Sequence, residues 1–294
     1  MIIDPKEISV PELHGHLLSA VSPRPIALAS TIDANGRVNL SPFSFFNAFG
    51  SNPPTLIFAP NRRVRDNTTK HTYENAKNVP EVVINIVSFE MVQQMSLSST
   101  EYDKGVNEFA KAGFTEVKSD RIQPPRVGEA KVAFECKIKD VVDLGDEGGS
   151  GGLIICEIIL MHINHDILDG NGKIDPVKLD TVGRLGGNWY VRSSEGLFEV
   201  EKPLSRKGMG IDQMSEKIRN SNQLTGNDLG KLGNVEQLPD QEEINEFSNE
   251  PEVRAILDFF SDNREEMDRQ LHKLAKQFLE DGEVWKAWKT LLQY

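Results

Sequence analysis

Short apolar runs alternate with turn-forming residues from Pro25 to about Val200. Runs of this length, rich in β-branched residues and bounded by Gly, Pro, Asn and Asp, predict an all-β barrel or sandwich. The strand candidates are PIALASTID, a return strand from about Arg37, TLIFAP, EVVINIVS, KVAFECKIKDVVDLG and GGLIICEIILMHINHDIL. The pattern therefore predicts a mostly β domain, a β-barrel with peripheral helices.

Turn signals divide these runs. Asn35-Gly36 predicts a tight hairpin turn, because both residues tolerate a positive φ. Residues 145–152, GDEGGSGG, are expected to form a flexible polar link between two long strands that pair with each other. Helices are predicted over about 88–97 and 106–112, and Gly113 is expected to end the second.

The pattern changes after Val200. Residues 203–240 combine glycine, asparagine and proline with scattered apolar residues, which predicts extended connecting structure. From Pro251 onward the apolar residues recur at helical spacing. They are Val253, Ile256, Leu257, Phe260, Met267, Leu271, Leu274 and Phe278. We interpret this face as one that docks on its own subunit or on a dimer mate; a coiled-coil or partner seam is the alternative.

This change divides the chain into a β domain, residues 1–200, and an extended linker with a C-terminal helical extension, residues 201–294. Gly282 interrupts the helical pattern, and a short segment with Trp285 and Trp288 follows it.

Charge and cysteine content narrow the partners and the compartment. The chain has 45 acidic and 33 basic residues, a formal charge of −12, which argues against a nucleic-acid partner. The longest apolar stretch, about 153–161, contains Glu157 and is too short for a bilayer, so no membrane association is expected. Cys136 and Cys156 lie in apolar runs and are interpreted as reduced core residues, with a disulfide as the alternative. Without a recognisable secretory leader, we expect a cytoplasmic protein.

Several familiar site motifs are absent from the sequence. There is no G-x-x-x-x-G-K-[ST] and no G-x-G-x-x-G, so neither a P-loop nor a Rossmann turn is indicated. His162 and His165 have a spacing that would suit a metal on a helix, but they follow a strand-type run without an evident third ligand. We interpret them as strand-end or ligand-contact histidines and expect no metal.

The segment from Ser22 to Thr69 carries more chemistry. Arg24 lies between two prolines that stiffen the chain as it enters the first strand. NLSPFSFFNAFGSNPP then mixes hydroxyl and amide side chains with four phenylalanines. This mixture suits a pocket that stacks a flat aromatic ligand and hydrogen-bonds its polar edge, although a barrel wall with terminal turn residues has the same composition.

Residues 65–69, RDNTT, follow the strand TLIFAP and a polar turn. A cation, hydroxyls and free backbone N–H groups at a turn can hold a phosphate monoester. The alternative is a helix start with Asp66 as its N-cap, and the two are compatible because a helix N-terminus also favours an anion.

Five segments in order, SPRPIALASTID, NLSPFSFFNAFGSNPP, VRDNT, EFAKAGFT and GRLGGNWY, resemble the flavin reductase-like family over about residues 20–195. The resemblance implies the FMN-binding split barrel of that family, non-covalently bound FMN and a homodimer. It places the phosphate near Arg65, Asp66 and Thr68, and the isoalloxazine against the Ser30-Thr31 strand and residues 46–48.

The resemblance further implies that backbone from Ala59 to Asn61 closes one edge of the ring and that Arg184 approaches the flavin. A buried arginine salt bridge is the alternative for Arg184. The complete set of predicted cofactor-binding residues is Arg24, Ser30, Thr31, Phe46, Asn47, Ala48, Ala59, Asn61, Arg65, Asp66, Thr68 and Arg184.

The function implied is an FMN-binding oxidoreductase, in particular an NAD(P)H-dependent flavin reductase. Because the flavin carries the redox chemistry, no catalytic side chain is predicted. Some family members hand reduced flavin to a partner monooxygenase or pass electrons to another acceptor, and either partner is compatible with this chain. The alternatives are a non-enzymatic FMN electron-transfer or flavin-carrier protein and a scaffold with a vestigial barrel. A further hypothesis is that the tryptophan-containing C-terminal end shields the pocket.

Overall fold

The computed structural model describes residues 1–200, 202–203 and 207–293. The chain forms two compact units, Met1–Phe198 and Glu199–Tyr294. None of the described helices is long and apolar enough to cross a membrane.

The first unit contains the strands of the described chain. In chain order they are β1 (Ala27–Ile32), β2 (Val38–Phe43), β3 (Phe46–Ser51), β4 (Pro54–Phe58), β5 (Glu81–Ile86), β6 (Glu116–Val117), β7 (Arg126–Val127), β8 (Val132–Asp143), β9 (Gly152–Ile163), β10 (Val182–Arg184) and β11 (Tyr190–Arg192). Seven of them form one antiparallel sheet in the order β2-β1-β5-β8-β9-β4-β3. The pairs β6-β7 and β10-β11 form two small separate sheets.

The large sheet is open, because its edge strands β2 and β3 are not paired with each other in the described structure. The predicted β-barrel is therefore not closed among the described residues. The prediction of a mostly β chain is also too simple, since 35% of the residues are helical and 24% are in strands. Much of the helix belongs to the second unit, where the sequence predicted extended structure over residues 203–240 and helix from Pro251.

Strand β1 shows why the sheet needs an apolar layer on each side. Ile26 and Leu28 pack into one cluster, whereas Ala27 and Ala29 pack into another. Alternate side chains of a strand point to opposite faces. Because an apolar cluster covers each face, β1 is buried along its whole length. The predicted turn at Asn35-Gly36 joins β1 to β2, and Gly36 has φ 76.

Short helices cover the faces and ends of this sheet. They are α1 (Val10–Ala20), α2 (His71–Asn78), α3 (Val92–Ser98), α4 (Glu108–Ala112) and α5 (Pro176–Leu179). The two predicted helices correspond to α3, which a 3-10 turn over Phe89–Met91 precedes, and to α4. Gly113 ends α4 in the left-handed region at φ 71, as predicted.

The second unit is helical. Its helices are α6 (Glu216–Arg219), α7 (Gly226–Gly233), α8 (Gln241–Phe247), α9 (Pro251–Phe259), α10 (Arg264–Glu280) and α11 (Val284–Leu291). Because α6 and α7 lie within residues 203–240, the prediction of extended structure there is wrong for these two segments. Ser215 caps α6 and Thr225 forms a capping box with Asp228 at the start of α7, so local caps stabilise helices of modest apolar content.

The predicted C-terminal apolar face is divided between two helices, because the chain turns between α9 and α10 at residues 260–263. Val253, Met267, Leu271 and Leu274 nevertheless pack into one cluster within the unit. Trp288 is 1% exposed and donates its Nε1–H to Leu232 O at 3.0 Å, so it is buried in the core of the helical unit.

The two cysteines are free and buried, as the sequence indicated. Burial raises the pKa of Cys136 to about 12. A thiol in such surroundings behaves as a small apolar side chain.

Candidate functional site

The turn after β4 gathers cations around one carboxylate. Arg63 Nε lies 3.0 Å and Lys70 Nζ 3.1 Å from Glu101 Oε1, and Arg65 donates to Glu101 Oε2. We call these four residues the anion cluster. Hydrogen bonds from Arg63 and then Lys70 are the main causes that lower the pKa of Glu101 to about 2. Three cations against one carboxylate give these four residues a formal charge of +2, and Asp66, which pairs with Arg65 Nε at 3.1 Å, lowers the local charge to +1, in a chain whose net charge is −12.

The shape of this turn depends on Asp66 and Thr68. Asp66 Oδ1 accepts hydrogen bonds from the Thr68 backbone N–H at 3.1 Å and the Thr68 hydroxyl at 2.6 Å. These bonds are the main cause that lowers the pKa of Asp66 to about 2. The Arg63 N–H donates to Thr68 O at 2.9 Å, and Asn67 adopts φ 55 in the left-handed region. Asp66 therefore shapes the turn, and it is not a helix N-cap, because α2 begins at His71 with Lys70 as its N-cap.

The glycine-rich loop between β8 and β9 is docked on this turn. The Arg62 N–H donates to Ser150 O at 2.9 Å, and the Gly149 N–H donates to Arg62 O at 3.0 Å. A Cβ on Gly148 would lie 3.0 Å from Val64 O, so the two backbones approach closely. The loop was predicted as a flexible link, but it instead supports one wall of the site.

A pocket of about 340 Å³ lies beside the anion cluster. Helix α1 contributes His14, whose ring packs edge-on against Phe45 at 6.1 Å between centroids. The remaining lining residues are Asn61, Arg62, Arg63, Val64, Arg65, Lys70, Glu101 and Gly149. Two of the sequence-predicted residues, Asn61 and Arg65, thus line the same pocket.

The predicted ring-contacting residues of β3 lie next to this turn in the sheet. Asn47 pairs with Ile57 of β4, and Ala59 donates its N–H to Phe45 O at 2.8 Å. Phe46 is half-buried, whereas Asn47 and Ala48 are exposed on an edge strand. The chain runs from this strand pair through Ala59, which is buried, and Asn61 directly into the anion cluster, so these predicted residues are close along the chain.

Arg24 and Arg184 lie elsewhere and contact each other through their backbones. The Arg24 N–H donates to Arg184 O at 2.9 Å, and the Arg184 N–H donates to Arg24 O at 2.8 Å. Arg24 is 5% exposed, and its guanidinium donates to the backbone carbonyls of Leu18, Val21 and Leu185. Burial and the nearby Arg184 lower the pKa of Arg24. The role that these contacts indicate for Arg24 is structural.

Arg184 is held by the loop between β10 and β11. Its Nη1 donates to Trp189 O at 3.0 Å, and its guanidinium lies 4.6 Å from the centre of the Tyr190 ring. These contacts differ from the salt bridge that the sequence left open as an alternative.

Ser30 and Thr31 are enclosed in the sheet. Both are 0% exposed, and Thr31 Oγ1 accepts a hydrogen bond from Asn75 at 3.1 Å. The Ser30 hydroxyl has no hydrogen-bond partner among the described residues. The structure therefore does not bring these two side chains to the pocket.

His162 contacts a buried acid. Its Nε2 lies 2.7 Å from Glu135 Oε1 and 3.8 Å from Asp120 Oδ2, and one ligand atom of each residue lies within 4.8 Å of the others. Glu135 also accepts the backbone N–H groups of Asp120 and Arg121 at 2.8 and 2.7 Å. These contacts tie the loop at Asp120 to the sheet, and His165 begins the 3-10 turn that follows β9.

Comparison with known proteins assigns the fold. Residues 19–178 match the family model described as the flavin reductase like domain. The chain belongs to the flavin reductase-like family. A relative from Aquifex aeolicus is 39% identical over 188 residues, which cover 64% of this chain and 93% of the relative. The family match over residues 19–178 includes the large sheet and the anion cluster.

Two solved structures resemble this flavin reductase-like chain. Nitrilotriacetate monooxygenase component B from Bacillus cereus is 25% identical with a TM-score of 0.64, covering 68% of this chain and 98% of that one. A structure from Shewanella frigidimarina, whose description names a split barrel domain, is 24% identical with a TM-score of 0.59 and covers 69% and 99%. The first unit thus has the split-barrel fold, and family membership supports a flavin-related oxidoreductase function.

Sequence reasoning missed Arg63, Lys70 and Glu101. The local signal was present, because residues 61–70 contain four cations in an otherwise acidic chain. Glu101 was not identifiable in this way, because its contact with the turn joins segments more than 30 residues apart.

Proposed function

We propose that this chain binds FMN with its phosphate at the anion cluster and acts as an NAD(P)H-dependent flavin reductase. The observation that carries the proposal is the convergence of Arg63, Arg65 and Lys70 on a single carboxylate beside a pocket. A phosphate monoester offers oxygen acceptors of the same kind with more charge. Arginine can grip two of those oxygens at once, and lysine adds a point charge.

The donor set fits this phosphate. Arg65 is 68% exposed, so its guanidinium is accessible to a ligand, and it pairs with Asp66 at 3.1 Å and with Glu101. Arg63 is more enclosed at 16%, and its contact with Thr68 Oγ1 at 2.9 Å fixes it to the turn. Together with Lys70, these two guanidinium groups would supply the donors for a small dianion.

The ring would lie along the surface formed by β3 and residues 59–61. Asn47 and Ala48 are exposed there, and Asn61 lines the pocket. When bound, FMN supplies a ring that accepts hydride from a nicotinamide and passes electrons on. The role of the chain is to position that ring and its phosphate, and no acidic or basic side chain is required for the transfer.

The acceptor of the electrons and the assembly state belong to the same proposal. We infer that reduced flavin is passed to a partner protein, because a component of a two-part monooxygenase is among the similar structures. The open edge of β3, with Phe49 64% exposed, supports a homodimer, since an unpaired apolar edge is normally covered. A cytoplasmic location stays a prediction.

Steady-state oxidation of NADH and of NADPH, with FMN in excess and with riboflavin for comparison, tests the reductase activity. We expect one nucleotide to be oxidised in an FMN-dependent manner. If FMN binds and neither nucleotide reduces it, the chain is an electron carrier. If no flavin binds at all, the proposed function is wrong.

A further inference from the structure

We propose that Glu101 competes with phosphate for the anion cluster and thereby sets how strongly the chain distinguishes FMN from riboflavin. The inference rests on the proposed function for the identity of the flavin. Its anion chemistry is testable separately, with inorganic phosphate as the probe.

The carboxylate of Glu101 lies where the three cations meet. Its Oε1 is shared by Arg63 and Lys70, and its Oε2 accepts from Arg65. Both oxygens are therefore engaged by the same donors that a phosphate would need. A phosphate cannot take full hydrogen bonds from these donors while the carboxylate keeps them.

Electrostatics gives the same conclusion. The low pKa of Glu101, about 2, means that its carboxylate is ionised at neutral pH. A phosphate that entered beside it would face a like charge at short range, and like charges a few ångströms apart repel even in a solvated site. The ligand must therefore displace the carboxylate or bind more weakly.

Displacement is feasible, because Glu101 is carried by the loop between α3 and α4. The nearby hydrogen bonds of this loop are local: Tyr102 N–H to Thr100 O at 2.9 Å and Val106 N–H to Asp103 O at 3.1 Å. The Glu101 side chain is 36% exposed, so it can rotate into solvent without opening the sheet or a helix. Partly exposed ion pairs are individually weak, so a dianion can replace a monoanion here.

The competition has a selective consequence. Riboflavin has no phosphate, so it has no need to displace Glu101 and gains nothing from its removal. FMN has to displace it. Removing the carboxylate should therefore strengthen the binding of FMN and of phosphate and leave the binding of riboflavin unchanged.

The test compares Glu101→Gln with Asp103→Asn in the full chain. Asp103 lies two residues along the same loop, and its substitution removes the same charge from outside the cluster. Dissociation constants are measured for FMN and riboflavin by absorption titration and for inorganic phosphate by calorimetry. We expect Glu101→Gln to tighten FMN and phosphate by roughly three- to tenfold, as expected for loss of weak surface ion pairs. Asp103→Asn should change the dissociation constants of FMN and of phosphate by less than about twofold, because a more distant charge is screened.

Glutamine can still accept hydrogen bonds from the cations, so Glu101→Ala serves as a second variant that removes the acceptor. Thermal melting of both variants verifies that each is folded. Unchanged or weaker FMN and phosphate binding in both folded variants would overturn the proposal, and weaker binding would show that Glu101 orients the arginines for the ligand. If FMN binds equally well to the unmodified chain and to both variants, the proposal that Glu101 competes with phosphate is wrong, but the proposed function stands. If phosphate tightens while no form binds flavin, the competition stands and the flavin assignment fails.

Discussion

At the residue scale, the segment RDNT combines two roles that the sequence did not separate. Asp66 and Thr68 are bonded to each other and shape the turn, while Arg65 extends into the pocket. Composition was enough to predict an anion site at this turn. It did not assign the roles, because hydrogen bonds within a turn and donors directed at a ligand use the same residue types.

Arg65→Gln should weaken FMN binding by about tenfold or more, since a hydrogen bond to a charged group is worth about 1.5–3 kcal/mol. Arg65 suits this test better than Arg63, whose guanidinium also holds Thr68 and Thr69 of the turn. Absorption titration with FMN and with riboflavin measures the effect, and riboflavin should be unaffected.

Lys139→Gln is the matched control, because Lys139 pairs with Glu157 on the sheet at 3.0 Å and does not line the pocket. An equal loss of FMN affinity in both variants would mean that the effect comes from net charge and not from the anion cluster.

At the element scale, most strands of the large sheet were predictable, whereas β3, the four short strands and several helices were not. The large-sheet strands β4, β5 and β8 begin and end close to the predicted runs, because an apolar run between turn residues is a local signal. Strand β9 begins as predicted but ends at Ile163, before the predicted end at Leu168. Helices α6 and α7 were missed because their caps, and not their apolar content, mark them. The open edge of the sheet was not predictable either, since strand order depends on pairing between distant segments.

The start of β9 is a position where element packing can be tested. Gly152 lies against Tyr73 of α2, and a Cβ there would be 2.7 Å from the ring. Tyr73 is 6% exposed and donates its hydroxyl to Asp143 at the end of β8. Gly152→Ala should therefore destabilise the protein by about 1–3 kcal/mol, as overpacking commonly does.

Urea unfolding followed by circular dichroism measures this change. Gly170→Ala is the control, because a Cβ at Gly170 meets nothing within 4 Å, and it should change the free energy of unfolding by less than about 0.5 kcal/mol. Equal stability of the two variants would show that Tyr73 is not packed as described.

At the scale of the whole molecule, the two units have separate cores. Two large apolar clusters line the faces of the sheet, a smaller one around Val83 also lies in the first unit, and two others lie within the helical unit. The family match ends at residue 178, and the two solved structures that resemble the chain cover only about two thirds of it. The sequence located this division by the change of pattern after Val200 but gave no function for the helical unit.

A chain that ends at Val200 should fold and bind FMN with a dissociation constant within about threefold of that of the full chain, a difference below about 1 kcal/mol. The reason is that the anion cluster and both sheet cores lie in the first unit, while Trp288 is buried in the second. Circular dichroism and FMN titration of the shortened chain measure this. A marked loss of affinity in a folded product would instead support the hypothesis that the C-terminal end shields the pocket.

The central claim is that the anion cluster holds the phosphate of a flavin. The most direct measurement is an absorption titration of the purified full chain with FMN and, in parallel, with riboflavin at low ionic strength. The account predicts that FMN binds at least about tenfold more tightly than riboflavin, since charge-assisted hydrogen bonds to the phosphate are absent from riboflavin. Equal affinities would contradict the phosphate assignment, and the absence of binding by either flavin would contradict the account as a whole.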